Sequence, residues 1–242
     1  DEMNVLSIER ARDLARAVTL AALDPEVRCV VLQGAGGNFC AGADVKWMLS
    51  KFELSDAERR FGAKQILNDL HQTTRTLRTM AKPVIASVEG AAAGGGFSIV
   101  MGCDMIVAAE NAVFTMAYSN LGLCPDASGT YSLPRLVGVR KAIELAFLGD
   151  PISAREALEL GIVNRVVADA ELAGETAALA GKLARGATFA FGKTKALYYR
   201  SLASSYEEQL EAEGDAVTDC FVSEDFREAV QAFVEKRKRT FV

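Results

Sequence analysis

Along the first two dozen residues Leu14, Val18, Ala21 and Ala22 fall on one face at helical spacing with charges opposite. Ser7 stands where an N-cap would, so a helix is predicted from there to about Leu23. The pattern then shortens. Val27 to Gln33 is rich in β-branched residues and runs into Gly34-Ala35-Gly36-Gly37-Asn38, then Phe39-Cys40-Ala41-Gly42-Ala43-Asp44, a strand entering a turn open enough for a ligand. Ala57 to Met80 reads as a long amphipathic helix carrying His71. Pro83-Val84-Ile85-Ala86-Ser87-Val88 reads as a buried strand leading into Gly90-Ala91-Ala92-Ala93-Gly94-Gly95-Gly96. A strand followed by a glycine-rich turn thus occurs twice.

After the glycine triplet the pattern predicts a short apolar helix from Phe97 to Cys103, a strand from Met105 to Ala109 and another over Ala112-Val113-Phe114-Thr115-Met116. Leu121-Gly122-Leu123-Cys124-Pro125-Asp126 reads as a loop before a helix near Gly129 to Val137. Ser153 and Glu156 are spaced as a capping box for a helix to Leu160, which Gly161 ends, and Ile162 to Val167 returns as a strand. From Leu172 the reading is helical, with a second capping box at Ser205 and Glu208. The last helix starts near Glu224 and ends in Lys236-Arg237-Lys238-Arg239. Strands and helices alternate for two thirds of the chain and helices finish it, which predicts the α/β class.

Composition narrows the function classes. The chain has 242 residues, 50% of them hydrophobic and 24% charged. A chain of this length buries roughly 70–75% of its unfolded surface, enough for a core without disulfide or metal staples. The cysteines, Cys29, Cys40, Cys103, Cys124 and Cys220, are odd in number and form no C-x-x-C pair, so neither a disulfide framework nor a zinc site is expected and a reducing compartment fits. With 32 acidic against 27 basic residues the net charge is -5, which argues against nucleic acid as a partner. The uncharged run Gly90 to Cys103, like every other uncharged run in the chain, is below the roughly 18 residues of a membrane-span candidate, so no membrane partner is expected. The opening Asp1-Glu2-Met3 is not a natural translation start, and residues before it are expected to be missing. A cytoplasmic location is expected, with an organellar matrix as the alternative.

Several motifs fail on spacing. Gly192-Lys193-Thr194 looks like the end of a phosphate-binding loop, but the position of the leading glycine holds Ala187 and no strand precedes it. Ser98 follows the triplet, yet Gly96-Phe97-Ser98-Ile99-Val100 lacks the closing glycine of a nucleophile elbow. With His71 as the sole histidine, mid-helix on a mixed face, it is read as structural, and neither a Ser/His/Asp triad nor zinc hydrolysis is expected. What remains is the pair of glycine-rich turns, Cys40-Ala41-Gly42-Ala43-Asp44 and Gly94-Gly95-Gly96. Such turns expose backbone N–H groups to a close ligand, and two facing one point can hold the developing charge of a thioester enolate. The alternative is that the glycines only relieve crowding.

Asn38 to Lys46, Lys82 to Gly90 and Ala93-Gly94-Gly95-Gly96 together resemble the enoyl-CoA hydratase/isomerase (crotonase) superfamily. Leu121 to Asp126, Leu148-Gly149-Asp150-Pro151-Ile152-Ser153-Ala154 and Phe233 to Lys238 continue the resemblance in order, over almost the whole chain. It starts inside the family's first helix, so the usual first strands are expected to be absent. The resemblance implies a crotonase-like spiral of ββα turns over residues 1–172 carrying the CoA and oxyanion-hole loops. A helical C-terminal region over 173–242 would serve oligomerisation and CoA closure, in a homotrimer or homohexamer. It further implies that the amides of Ala43 and Gly95 bind the thioester oxygen. Ala41, Asp44, Val45, Lys46, Gly94, Ser98 and Tyr118 would lie along the acyl-CoA substrate, with no separate cofactor and no metal.

The departures from the family type bear on the reaction. A hydratase of this type carries glutamates two residues after the triplet and four after the Phe of the next strand; here those places hold Ser98 and Tyr118. Neither a serine nor a tyrosine with a free pKa of about 10 readily activates water at neutral pH. Asp126 stands where double-bond isomerases of the family, including those acting on enoyl-CoA and on ring-epoxidised phenylacetyl-CoA, carry a proton-moving carboxylate. Enclosure by Leu121, Leu123 and Tyr118 would make it a stronger base than a solvated carboxylate. The expected function is an acyl-CoA double-bond isomerase with Asp126, Ala43 and Gly95 as its catalytic groups. The alternatives are a hydratase, lyase or decarboxylase on the same scaffold, or a non-catalytic acyl-CoA binder. For Asp126 itself the plainer role is capping the helix that follows.

Overall fold

The computed structural model of the chain describes residues 3–241, so the start at Asp1 lies outside the described residues. Helix α1 (Ile8–Leu23) leads to strand β1 (Val30–Gln33), α2 (Val45–Leu49) and the long α3 (Asp56–Thr79). Then come β2 (Val84–Val88), β3 (Ala91–Ala93), α4 (Gly95–Val100), β4 (Met105–Ala109) and β5 (Val113–Thr115). These are followed by α5 (Gly129–Val137), α6 (Val139–Leu148), β6 (Ile152–Ser153), α7 (Ala154–Glu159) and β7 (Arg165–Val167). The rest is helical: α8 (Leu172–Ala184), α9 (Thr188–Ser201), α10 (Tyr206–Phe221) and α11 (Glu224–Val234).

The class is α/β, as the alternation predicts. A parallel sheet runs in the order β1-β2-β4-β7, and a smaller one in the order β3-β5-β6. The reason β2 reads as an unbroken apolar run is visible in its packing. Val84, Ala86 and Val88 enter the main core with Phe97, Leu77 and Ile106, while Ile85 enters a second core with Val107, Leu172 and Leu179. Side chains alternate across a strand, so a sheet covered on both faces needs apolar residues at every position. α8 supplies that second cover. Lys195 of α9 is anchored by its Nζ to the Leu77 carbonyl at 2.6 Å and to Asp104 Oδ2 at 2.8 Å. Asp104 in turn accepts from the Val84 amide at 2.8 Å, so one carboxylate ties α9 to the start of β2.

Both expected capping boxes form, at Ser153/Glu156 and Ser205/Glu208, and Ser55/Glu58 forms a third at the start of α3. Two strands start well after the point the residue pattern implies. β1 starts at Val30, paired with Val84, because Pro83 precedes its partner and offers only its carbonyl, which accepts from the Val30 amide at 2.9 Å. The strand read from Ile162 begins only at Arg165, since the Ile162 and Val163 amides both close the end of α7 on the Ala157 carbonyl, at 2.9 and 3.1 Å. The short β3 is hidden within the second glycine segment, and α6 begins without a side-chain cap.

Candidate functional site

The two glycine-rich turns meet. Cys40 and Ala92 form an isolated parallel bridge, with the Cys40 amide donating to the Ala91 carbonyl and the Ala93 amide to the Cys40 carbonyl, each at 2.9 Å. This lays the first turn along β3. Gly42 has φ +95 and approaches so closely that a Cβ there would stand 3.0 Å from the Ala93 carbonyl oxygen. Gly96 is tighter still: a Cβ would meet the Cys40 carbonyl oxygen at 2.6 Å. Glycine is therefore required by contact between the turns, not merely by turn shape. Gly94 caps α4 with φ 50 and ψ -120, which makes Gly95 the first residue of the helix. The amides of a helix's first turn have no intrahelical partner.

A cavity of about 120 Å³ lies at this junction. Ala41, Ala43, Asp44 and Val45 of the first turn line it, with Gly94 and Gly95 of the second. Tyr118 and Asp126 line it from the segment between β5 and α5. Ser98 does not reach it; it is fully buried on α4, behind Tyr118. Lys46 is exposed on α2 and is not part of the lining. The Asp44 carboxylate caps α2 by accepting from the Trp47 amide at 3.0 Å. Gly42, Leu121 and Leu123 line it too, and Leu6, Trp47, Met48, Ile66, Leu70 and Ala117, which were not singled out from sequence, complete the wall. Ile66 and Leu70 are an i, i+4 pair on α3, so the helical period marked the face without marking its use.

Asp126 does not cap α5. That helix has Ser128 at its N-cap, with φ 71 and no side-chain cap bond. Instead Asp126 Oδ1 accepts from the Tyr118 hydroxyl at 2.6 Å, and the Tyr118 hydroxyl lies 2.9 Å from Ser98 Oγ. The backbone that delivers Asp126 is strained: Ala127 and Ser128 both have positive φ, 46 and 71, a conformation that costs a non-glycine residue roughly 1–2 kcal/mol. Burial first, then the charge and hydrogen bond of Asp126, push the Tyr118 phenol far above its usual value, so it is a neutral donor at any working pH. The enclosure expected from Leu121 and Leu123 is partial: both line the cavity beside Asp126. Each is nevertheless 48% exposed, so they wall the mouth of the cavity, and of the three only Tyr118 is buried beside the carboxylate.

His71 lines a different and larger cavity of about 570 Å³, with Arg75, Arg78 and Tyr131, and no residue lines both. Among the described residues no group of three metal-ligating side chains comes together, and no helix is long and apolar enough to cross a membrane.

This architecture and this junction of turns have counterparts among known proteins. The family model for enoyl-CoA hydratase/isomerase matches residues 1–242, and the chain belongs to that family: it is an enzyme of the crotonase superfamily with the crotonase fold. It is 37% identical over 243 residues to the crotonyl-CoA hydratase of Syntrophomonas wolfei, covering 99% of this chain and 90% of that one. It is 36% identical over 241 residues to the 1,2-epoxyphenylacetyl-CoA isomerase of Escherichia coli, covering 100% of this chain and 91% of that one. Among solved structures, an enoyl-CoA hydratase from Bacillus anthracis superposes with a TM-score of 0.91 at 32% identity, covering 99% of this chain and 91% of that one.

Proposed function

We propose that the protein is an acyl-CoA double-bond isomerase that uses Asp126 as its single acid/base. The observation that carries this reading is the commitment of the cavity's carboxylates. Of the two aspartates lining it, Asp44 is spent as a helix cap, whereas Asp126 stands opposite the glycine turns with only Tyr118 on Oδ1. Water addition needs a second group to activate water, and the two places where a family hydratase carries glutamates hold hydroxyls bonded to each other.

In this mechanism the thioester oxygen of a 3-enoyl-CoA lies between the amides of Ala43 and Gly95, which bind the oxyanion more tightly than the ground-state carbonyl. Asp126 removes a proton from C2, the electron pair delocalises into a dienolate, and the protonated Asp126 returns the same proton to C4. The product is a 2-enoyl-CoA, and no atom is gained or lost. No cofactor beyond the CoA thioester enters. The reaction is tested by incubating a 3-enoyl-CoA in heavy-oxygen water and weighing the products. Unchanged mass, with turnover reduced at least about 10²-fold in Asp126→Asn at an acyl-CoA affinity within a few-fold, is the expected result. Predominant label in a 3-hydroxyacyl product would replace isomerase by hydratase, and absence of any product with tight binding would replace it by a binder.

We further propose that the chain works as a trimer or a dimer of trimers, a reading supported by the large apolar side chains that α10 and α11 leave exposed, such as Val217, Phe221 and Phe233. Sedimentation showing a monomer at micromolar concentration would overturn it.

A further inference from the structure

Proton accounting fixes the direction of the buried hydroxyl chain. Tyr118 has one phenolic proton and gives it to Asp126 Oδ1 at 2.6 Å. The contact of 2.9 Å between Tyr118 and Ser98 therefore has Ser98 as its donor. Two O–H dipoles thus point, in series, at one carboxylate oxygen. Ser98 is 0% and Tyr118 7% exposed, so water does not compete for either bond. The chain is also held from behind. Gly129 leaves the room that Ser98 Oγ occupies, since a Cβ there would stand 2.6 Å from it. The Tyr118 hydroxyl lies 4.0 Å from where a Gly95 Cβ would be, so the phenol packs beside the same turn that presents the Gly95 amide. The other titratable side chain lining the cavity, Asp44, is held apart in its cap on α2.

From this arrangement we propose that Ser98 and Tyr118 are positioning residues: a donor relay that holds Asp126 by Oδ1 in a single orientation, as a carboxylate, toward the oxyanion turns. The inference rests on the isomerase reading above for the use of Asp126, and it adds what aims that group. In a hydratase of the family the same two places would carry charge for chemistry; here they carry neutral donors that act only through a third residue. A series relay makes a particular prediction. Ser98 has no route to Asp126 except through the phenol, so its contribution vanishes once the phenol is gone.

The test uses the full chain with 3-enoyl-CoA as substrate, and the variants Tyr118→Phe, Ser98→Ala and the double variant. Tyr118→Phe keeps the ring and removes the donor. It is expected to lower kcat roughly 10–100-fold with KM within about threefold, because the lost donor affects the aim of Asp126 and not the binding of substrate. Ser98→Ala should show a smaller change in the same direction, and the double variant should be no slower than Tyr118→Phe alone. A second readout needs no turnover: the carboxyl carbon resonance that disappears in Asp126→Asn should move or broaden in Tyr118→Phe at fixed pH, because the carboxylate has lost the donor on Oδ1. Wild-type kinetics and an unmoved resonance in folded Tyr118→Phe, or strictly multiplicative losses in the double variant, would overturn the relay. If Asp126→Asn keeps full activity the isomerase reading fails instead, and the resonance still decides the relay by itself.

Discussion

Two helices of this chain show opposite ways of being specified. α4 is six residues long, begins with two glycines, includes β-branched Ile99 and Val100, and buries all six of its residues. α10 runs for sixteen residues from a complete capping box and, among the described residues, buries only Ala216. Propensity and capping alone favour α10 and disfavour α4. α4 exists because the turns of Gly42, Gly94 and Gly96 interlock and the sheet closes over Phe97, Ile99 and Val100. Local rules therefore write the periphery, and contact between distant segments writes the site.

The sharpest way to break this contrast is to remove one N–H from the site without disturbing its shape. Gly95 is the first residue of α4, a position at which proline is tolerated, and a Cβ there would meet the tip of Leu6, Cδ1, at 2.8 Å and the Tyr118 hydroxyl at 4.0 Å, with no backbone in contact. Gly95→Pro is expected to fold and to lose roughly 10²–10³ in turnover, as removal of one oxyanion donor does. Steady-state kinetics beside a circular dichroism melt checks both halves. Full turnover in the folded variant would show that the Gly95 amide is not part of the chemistry.

A smaller and purely structural contrast comes from one substitution made twice. Gly96→Ala would drive a methyl against the Cys40 carbonyl oxygen at 2.6 Å and its Cβ at 2.7 Å, both in the bridge that joins the two turns. Overpacking of this kind costs typically about 1–3 kcal/mol. Gly214, inside α10, has nothing within 4 Å of its would-be Cβ. There the same change should stabilise by about 0.5–1 kcal/mol, since alanine loses less backbone freedom on helix formation. Urea midpoints of the two variants should move in opposite directions.

The same division explains what could be read from the sequence. The helices with Ser caps, the apolar strands and the alternation that gives α/β were all legible, because each is set by neighbours within a few residues. The glycine turns and Asp126 were legible as a pattern shared with the family, and the structure brings them to one cavity. Unread were the partners across it. Nothing within ten residues of Ser98 indicates that its hydroxyl meets Tyr118, twenty positions on. Leu121 and Leu123 were legible as neighbours of Asp126 and do line its cavity, but the pattern gave no sign that each would stay half exposed at its mouth. Asp126 likewise looked like a cap from its position before a helix. The positive φ of Ala127 and Ser128, which releases it from that role, is a strain that no local sequence rule anticipates for an alanine and a serine.

The last pair of variants measures that strain against an ordinary cap. Ser205 and Ser128 are both N-caps, of α10 and α5. Ser205 sits in extended backbone and accepts from the Glu208 amide at 3.3 Å, while the Glu208 carboxylate accepts from the Ser205 amide at 2.8 Å. Ser205→Ala breaks half of that exchange and should cost about 1 kcal/mol of local stability, read as faster amide exchange in the first turn of α10. Ser128 makes no side-chain cap bond and pays instead for φ 71. Ser128→Ala should therefore be close to neutral, and Ser128→Gly should stabilise by about 0.5 kcal/mol, since glycine adopts this conformation freely but loses more entropy on folding. If Ser128→Gly also lowers turnover while raising the melting temperature, the strained turn is what holds Asp126 at its post, and stability has been given up there for aim. If turnover is unchanged, the hydrogen bond from Tyr118 suffices to hold the carboxylate by itself.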